Sequence, residues 1–209
     1  MIEGLAVDAM AFLLRHAVFT TRSFAAMTAR GVDSASRTLN RLAARGQLVK
    51  VTRGIWAQTS HPAFTPFGTV GFLLGNEQGH VSFISALHRH GVISQIPGAI
   101  HVATTGHSRV VDSPVGRFEF FRLRPQMMLT GVDVSDTDPF YPIATAEKAL
   151  LDTVYVALWG RRFKRLPELD LGSLDGRRVF ELLDRQVTAL PLKKAVAARL
   201  GELGIHASR

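Results

Sequence analysis

The chain contains 209 residues, of which 46% are hydrophobic and 20% are charged, and it contains no cysteine. This composition predicts a folded protein with a sizeable core, and it excludes disulfide bonds and thiolate metal sites. No apolar run approaches the roughly 18 residues of a membrane span, and the N-terminal segment has acids where a signal peptide would have lysines. We therefore expect a cytoplasmic protein, and the length favours two domains over one.

The formal net charge of +8 is distributed unevenly along the chain. Residues 1–60 hold 8 basic and 3 acidic residues, a balance of +5. Residues 61–160 hold 6 basic and 8 acidic residues, a balance of −2, and residues 161–209 hold 11 and 6, again +5. The two basic ends indicate at least one contact with a polyanion.

Two amphipathic helices are predicted at the start of the chain. Apolar side chains at helical spacing place the first over residues 4–16. The second is predicted over residues 22–29, with Phe24 and Met27 turned toward the core. Gly31 follows it and is expected to adopt the left-handed conformation that ends many helices.

A third helix is predicted next, with Asp33 or Ser34 as its N-cap because either side chain can accept a free first-turn N–H. Ala35, Leu39 and Leu42 recur at i, i+4 and i+7, so they share the face to be buried. Gly46 is expected to end this helix. Two short β-prone runs follow, at residues 48–51 and 55–57, and predict a hairpin.

The surface of this third helix and hairpin is basic. Four arginines, one lysine and no carboxylate lie between Ser34 and Gly54. Helix, turn, helix and basic hairpin in this order are typical of a winged helix-turn-helix, which places its second helix in the DNA major groove. The alternative is an ordinary solvated helix followed by a hairpin. The base-edge candidates are Arg37, Asn40 and Arg41, and the phosphate or minor-groove candidates are Ser36, Lys50, Thr52 and Arg53.

The run VFTTRSFAAMTARGVDSASRTLNRLAARGQLVKVTRGIWA (residues 18–57) resembles the N-terminal winged helix of AbiEi-type antitoxins. These proteins belong to the type IV, abortive-infection toxin–antitoxin systems of bacteria. Trp56 stands where that family has an aromatic residue in its wing.

A Pro-bearing connection at residues 61–66 is the predicted domain boundary, and a mixed set of elements follows it. Helices are predicted near residues 67–75, 82–90, 146–158, 176–186 and 191–203. Strands are predicted near residues 99–104, 108–112 and 117–124, and residues 140–144 lead into the helix at 146–158. The runs SALHRHGVISQIP, HVATTGHSRVV, PVGRFEFFRL and PIATAEKALLDTVY resemble the C-terminal domain of the same antitoxin family. Ala146 departs from the family, which often has Pro there, but either residue starts a helix well.

Three patterns could indicate other chemistry. Ser85, His88 and Asp152 have the composition of a triad, but no nucleophile elbow surrounds the serine. The turn at residues 104–109 could hold a phosphate through Arg109, although a structural hairpin is favoured. The basic cluster Arg161, Arg162, Lys164 and Arg165 is either a solvated loop or a contact with nucleic acid or an acidic partner.

The sequence therefore predicts an α+β protein, with an N-terminal winged helix-turn-helix over residues 1–60 and a larger mixed α/β antitoxin-like domain over residues 61–209. We expect no catalytic site, cofactor or metal. The resemblance implies binding to double-stranded operator repeats, as a homodimer or cooperatively, with repression of the chain's own operon. It also implies neutralisation of a co-encoded nucleotidyltransferase-like toxin, without requiring a direct complex. The alternatives are a stand-alone winged-helix regulator with a ligand-sensing C-terminal domain, and a nuclease or transferase with a DNA-targeting head.

Overall fold

The structure, a computed structural model, describes residues 9–135, 141–159, 162–163 and 165–207. Helices and sheets alternate irregularly along this part of the chain, so the fold is α+β. The chain separates into two compact units. The first holds the described residues up to Gly75 together with Asp112–Gly116, and the second holds the other described residues. The expected domain boundary after residue 60 stays a prediction.

The first unit combines short helices with a three-stranded antiparallel sheet in the order β1-β3-β2. Its elements are α1 (residues 9–13 among those described), β1 (Val18–Thr20), α2 (Thr21–Met27), α3 (Val32–Ala44), β2 (Val49–Thr52) and β3 (Ile55–Ala57). A 3-10 turn at Pro66–Thr69 and α4 (Val70–Leu74) complete the unit's helices.

Aromatic side chains form the core of the first unit. Phe12 packs edge-on against Phe19 and Phe24, with ring centroids 5.1 and 5.3 Å apart. Leu39 is completely buried beside them, and Trp56 is 2% exposed. Each such side chain contributes roughly 1.5–3 kcal/mol on burial. The Trp56 indole N–H donates to Thr21 Oγ1 at 2.8 Å, so the ring is fixed in orientation as well as buried.

Helix α2 begins and ends with well-defined caps. The backbone N–H of Ser23 donates to Thr20 Oγ1, and the backbone N–H of Thr20 donates to Ser23 Oγ, both at 3.0 Å. At the other end Ala29 takes the left-handed conformation, with φ +50°, while the Arg30 N–H donates to the Ala25 carbonyl at 2.9 Å. This six-to-one closure ends the helix at Met27, four residues before Gly31.

The expectation that Gly31 is left-handed was therefore wrong. Gly31 has φ −67° and is the N-cap of α3, so the expected cap at Asp33 or Ser34 was also wrong. Because the turn closes early, α3 starts at Val32 and Asp33 lies in its first turn, where a carboxylate favours the positive helix end. Met27 is 68% exposed rather than turned inward.

The buried face of α3 is as predicted in most positions. Ala35 and Leu39 are completely buried, and Leu42 is half-buried. Gly46 ends the helix with φ +71°, and the Gln47 N–H donates to the Leu42 carbonyl at 3.0 Å. A side chain with a Cβ would be strained at this positive φ.

The second unit is built on a six-stranded mixed sheet in the order β6-β7-β5-β4-β9-β8, of which only Asp112, Ser113 and Gly116 are assigned to the first unit. Its strands are β4 (Gly79–Val81), β5 (Ile100–Thr104), β6 (Arg109–Ser113), β7 (Gly116–Arg122), β8 (Val132–Val134) and β9 (Pro142–Ala144). β5 pairs with β7 in parallel, and β4 pairs in parallel with β9 through Val81 and Ile143. The pairs β4–β5 and β8–β9 are antiparallel.

Four helices accompany this sheet: α5 (Phe83–Arg89), α6 (Ala146–Trp159), α7 (Gly176–Gln186) and α8 (Leu190–Glu202). Helix α6 is central, since every residue from Glu147 to Tyr155 is buried. All four lie close to their predicted positions. None of the helices in the described part of the chain is long and apolar enough to cross a membrane.

Candidate nucleic-acid interface

The exposed face of α3 carries the predicted base-edge residues. Arg37, Asn40 and Arg41 are all exposed, because burial of Ala35 and Leu39 turns the opposite side of the helix outward. Ser36 is half-buried at the edge of this face. The face can therefore present two guanidinium groups and one amide to a ligand.

The Asn40 amide is folded onto its own helix. Its Nδ2 donates to the Ser36 carbonyl at 2.9 Å and lies 3.5 Å from Ser36 Oγ. A bidentate contact with adenine needs both the amide N–H and the amide oxygen. Asn40 would exchange its bond to Ser36 for such a contact, which requires only a side-chain rotation at an exposed position.

The β2–β3 hairpin carries the other predicted candidates. Lys50 Nζ lies 5.6 Å from the centre of the Trp56 ring, so a cation–π contact holds the ammonium group near the hairpin. Thr52 and Arg53 are exposed at the turn. Gly54 has φ +80° and permits the sharp reversal, and its carbonyl accepts a hydrogen bond from the Thr21 N–H at 2.9 Å.

The charge of this surface is uncompensated. No carboxylate in the described part of the chain pairs with Arg37, Arg41 or Arg53. Two further exposed arginines of the same unit, Arg22 and Arg45, were not among the predicted candidates. Arg22 lies in α2, and Arg45 is the C-cap of α3. A signal for Arg45 was present in the sequence, because no acidic residue occurs between Ser34 and Gly54 to balance its charge.

The second unit contains a closed cluster of buried polar groups. The Lys148 ammonium donates to Asp152 Oδ1, and the Ser82 hydroxyl donates to Asp152 Oδ2 at 2.7 Å. The His80 ring nitrogen Nε2 lies 3.4 Å from the same carboxylate. All four residues are at most 2% exposed. The sequence signal was the i, i+4 pair of Lys148 and Asp152 inside an otherwise apolar helix, and it was missed.

The protonation of this cluster follows from burial and charge. Burial lowers the pKa of His80, which leaves its imidazole neutral, with Nε2–H donating to Asp152. Burial also lowers the pKa of Lys148, although the Asp152 charge opposes this shift. For Asp152, burial alone would raise the pKa, but Lys148 and His80 hold it below its usual value. The cluster is therefore an internal ion pair with two hydrogen-bonding neighbours.

Ser85, His88 and Asp152 are not brought together as a triad. The Ser85 hydroxyl lies 3.0 Å from His101 Nδ1 and 3.0 Å from the Ala99 carbonyl, whereas Asp152 belongs to the cluster with Ser82. Burial lowers the pKa of His101 to about 4, despite the nearby Glu119 carboxylate. These contacts give the Ser85 hydroxyl and the Asp152 carboxylate partners inside the protein. They agree with the interpretation that these residues have a structural role.

The turn at residues 104–109 also has a structural role. Arg109 Nη1 donates to Glu77 Oε2 at 2.8 Å, and Thr104 Oγ1 donates to the same oxygen at 2.8 Å. The Arg109 guanidinium lies 4.1 Å from the centre of the Phe120 ring. Arg109 is thus engaged within the protein, as the favoured hairpin interpretation required.

The basic cluster is described only in part, since Arg161 and Lys164 lie outside the described residues. Arg162 Nη1 lies 3.2 Å from Glu119 Oε2, and Arg165 is exposed. Within the residues that the structure describes, no three side chains of His, Cys, Asp or Glu gather where they could hold a metal ion.

Comparison with known proteins identifies the fold but no family. No family model matches the sequence, and no curated protein matches it. The crystal structure of the RV2827C protein from Mycobacterium tuberculosis is similar, with a TM-score of 0.58 at 19% sequence identity. The match covers 98% of this chain and 78% of that chain. At this identity the likeness establishes a shared α+β fold.

Proposed function

We propose that this chain is a DNA-binding antitoxin of the AbiEi type, which acts in the cytoplasm and represses its own toxin–antitoxin operon. The observation that carries the DNA-binding part is the uncompensated positive surface formed by α3 and the β2–β3 hairpin. Arg37 and Arg41 are exposed there without a carboxylate partner in the described part of the chain. Electrostatic attraction to phosphate supplies much of the affinity for DNA.

The element order supports a winged helix. Such a domain requires a helix, a strand, two helices and two further strands in this order. The first unit has this order, and its antiparallel sheet has the strand order β1-β3-β2. In this proposal α3 is the recognition helix and β2–β3 is the wing. Arg37, Asn40 and Arg41 read base edges, while Ser36, Lys50, Thr52 and Arg53 contact phosphates or the minor groove.

The antitoxin part of the proposal is supported by the resemblance of the second unit's motifs. The run ATAEKALLD contains Lys148 and Asp152, which form the buried ion pair of that unit. No enzymatic role is proposed for these residues, because they are sealed from solvent. In this proposal the second unit counteracts a co-encoded nucleotidyltransferase-like toxin, and the chain binds operator repeats as a homodimer or cooperatively.

A binding assay with the chain's own promoter DNA tests the first part. Arg37→Ala should weaken binding to the specific operator by roughly 1–3 kcal/mol, and should weaken binding to random DNA less. Arg185→Ala is the matched control, since Arg185 is an exposed arginine of α7, and its loss should change neither affinity. Failure of the wild-type chain to prefer its promoter over random DNA would refute the proposal. Equal loss on both DNAs would reduce Arg37 to a phosphate contact.

Protection of cells that express the neighbouring gene tests the second part. The double variant Arg37→Ala, Arg53→Ala should lose operator binding and still protect, because both residues lie in the first unit. A neighbouring gene that is harmless when expressed alone would contradict the antitoxin role.

A second candidate function is a stand-alone winged-helix regulator whose C-terminal domain senses a ligand. It is favoured by a pocket of about 500 Å³ in the second unit. A harmless neighbouring gene combined with a ligand-dependent change in operator affinity would select this function over the first.

A further inference from the structure

We infer that the second unit binds a free mononucleotide in a pocket between β7 and the C-terminal end of α6. The pocket has a volume of about 500 Å³, within the usual range for small-molecule sites. Its lining residues include the basic Arg122 and Arg124 and the aromatic Tyr155 and Trp159. Nothing in the DNA-binding proposal depends on this pocket, since all of its residues lie outside the first unit.

The two arginines make the pocket a site for an anion. Arg122 and Arg124 are exposed, and among the described residues no carboxylate pairs with either guanidinium. Two exposed arginines at one pocket, without a carboxylate partner in the described part of the chain, suit a phosphate, which each guanidinium can bind through parallel N–H donors.

The aromatic side chains make the same pocket a site for a planar ring. Trp159 is 68% exposed, an unusual state for the largest apolar side chain, while Leu123 is buried beneath the pocket. Stacking of a base on an aromatic side chain contributes roughly 1–3 kcal/mol. Inorganic phosphate alone would leave Trp159 uncovered, and an uncharged aromatic molecule would leave the guanidinium groups unpaired.

A second, smaller pocket lies beside a buried hydrogen-bond acceptor. It has a volume of about 80 Å³ and shares Arg124 and Tyr155 with the first, so the two adjoin. Gln186 lines the smaller pocket and is only 4% exposed. Its side-chain oxygen Oε1 is buried without a hydrogen-bond partner in the described structure.

The orientation of the Gln186 amide is determined by its neighbour. Nε2 donates to both the carbonyl and the hydroxyl oxygen of Thr130, each at 2.9 Å. A carbonyl can only accept, so a flipped amide would place two oxygens against each other. Oε1 is therefore the free atom, and an unsatisfied buried acceptor costs about 1–3 kcal/mol. Because Oε1 is buried, a ligand N–H recovers this energy only after Gln186 or the residues that cover it have moved.

These three features select the ligand chemistry. A nucleotide carries a phosphate for the arginines and a planar base for Trp159, and adenine and cytosine also carry an exocyclic amino group for Gln186 Oε1. The Tyr155 hydroxyl, which makes no hydrogen bond to the described residues, offers a further polar contact. Because a volume of about 500 Å³ suits one small molecule, we assign the site to a free mononucleotide rather than to a strand.

The two tryptophans allow a direct test on the full chain. Trp56 is 2% exposed in the first unit, so quenching by a stacked base reports on Trp159. Adenosine 5′-monophosphate and cytidine 5′-monophosphate are titrated by tryptophan fluorescence and by calorimetry. We expect at least one to bind with quenching, and adenosine and ribose 5-phosphate to bind at least about tenfold more weakly. Failure of both nucleotides to bind at millimolar concentration overturns the inference.

Variants of exposed residues separate binding from folding. Arg122→Gln and Arg124→Gln should each weaken nucleotide binding about tenfold and leave adenosine binding unchanged, while Arg185→Gln should leave both unchanged. Trp159→Ala should remove the quenching and weaken binding by calorimetry, with an unaltered circular dichroism spectrum. Nucleotide affinity that is insensitive to both arginines overturns the inference. A single-stranded oligoadenylate that binds more than tenfold tighter than the mononucleotide, with the same variant dependence, overturns the assignment to a free mononucleotide.

Discussion

Replacement of Asp152 by asparagine tests how the second unit tolerates its buried ion pair. Asparagine keeps the shape of the side chain and an oxygen that can accept from the Ser82 hydroxyl, 2.7 Å away in the wild-type protein. It removes the negative charge that balances the Lys148 ammonium. Because both side chains are completely buried, water cannot replace the lost partner.

The expected loss can be worked out from the response of Lys148. The ordinary lysine pKa is 10.5, so neutralising the group at pH 7 costs about 5 kcal/mol, at 1.36 kcal/mol for each pH unit. Keeping the charge buried without a partner costs about 3–5 kcal/mol. We therefore expect Asp152→Asn to lower the free energy of unfolding by about 3–5 kcal/mol at pH 7. At pH 9 neutralisation costs only about 2 kcal/mol, so the deficit should shrink.

Urea unfolding of the full chain, followed by circular dichroism at pH 7 and pH 9, measures both quantities. Asp184→Asn is the matched control, since Asp184 is 71% exposed and pairs with Lys193 at 3.1 Å. This surface pair should contribute at most about 1 kcal/mol. The second change Lys148→Met, added to Asp152→Asn, should recover most of the loss because it removes the buried cation. A deficit for Asp152→Asn no larger than that of Asp184→Asn, or equal at both pH values, would refute this reasoning.

Three further outcomes are expected. Arg53→Ala should weaken binding to any DNA sequence and reduce the slope of log affinity against log salt by about one, as measured by titration at several salt concentrations. Because the folded pKa of His101 is about 4, below its ordinary 6.5, its contribution to stability should be complete above pH 6.5. This contribution should fall by an amount on the order of 3 kcal/mol as the pH drops to 4. When the free energy of unfolding is measured over this pH range, the His101→Asn variant should lose less than the wild-type protein. Ala29→Gly should raise the free energy of unfolding by about 1 kcal/mol, because Ala29 has φ +50°, and a decrease in denaturation midpoint would contradict this.

The sequence predicted most elements because their periodicities are local. Ala35 and Leu39 alone define the buried side of α3, and Gly46 defines its end. The start of α3 was misplaced for a physical reason. Ala29 accepts a left-handed conformation that is more favourable for glycine, because the Arg30 N–H gains the Ala25 carbonyl. This compensation is made by backbone groups, so it leaves no pattern of side chains in the sequence.

The interior of the second unit was harder to predict than its elements. Ser82 was identified as a helix N-cap, which it is, but its hydroxyl donates to Asp152 across the fold. His80 and Lys148 meet the same carboxylate from a strand and a helix. Sequence spacing reveals Lys148 and Asp152 as a pair at i, i+4. It cannot reveal that His80 and Ser82, about 70 residues earlier in the chain, supply the other two groups. The predicted interface residues Arg37, Asn40 and Arg41 needed only the helix period, and their contact with DNA remains a prediction.

The parallel pairing of β4 with β9 has a consequence for the order in which the chain folds during synthesis. Strands β1, β2 and β3 all lie before residue 58, so their sheet can close by local pairing soon after it leaves the ribosome. The larger sheet must wait, because Val81 pairs with Ile143. Until that segment emerges, one edge of β4 is open and the interior that α6 fills is exposed. An unpaired strand edge is a template for association with other chains. Translation that stalls between β7 and β9 therefore leaves an aggregation-prone form of this polypeptide.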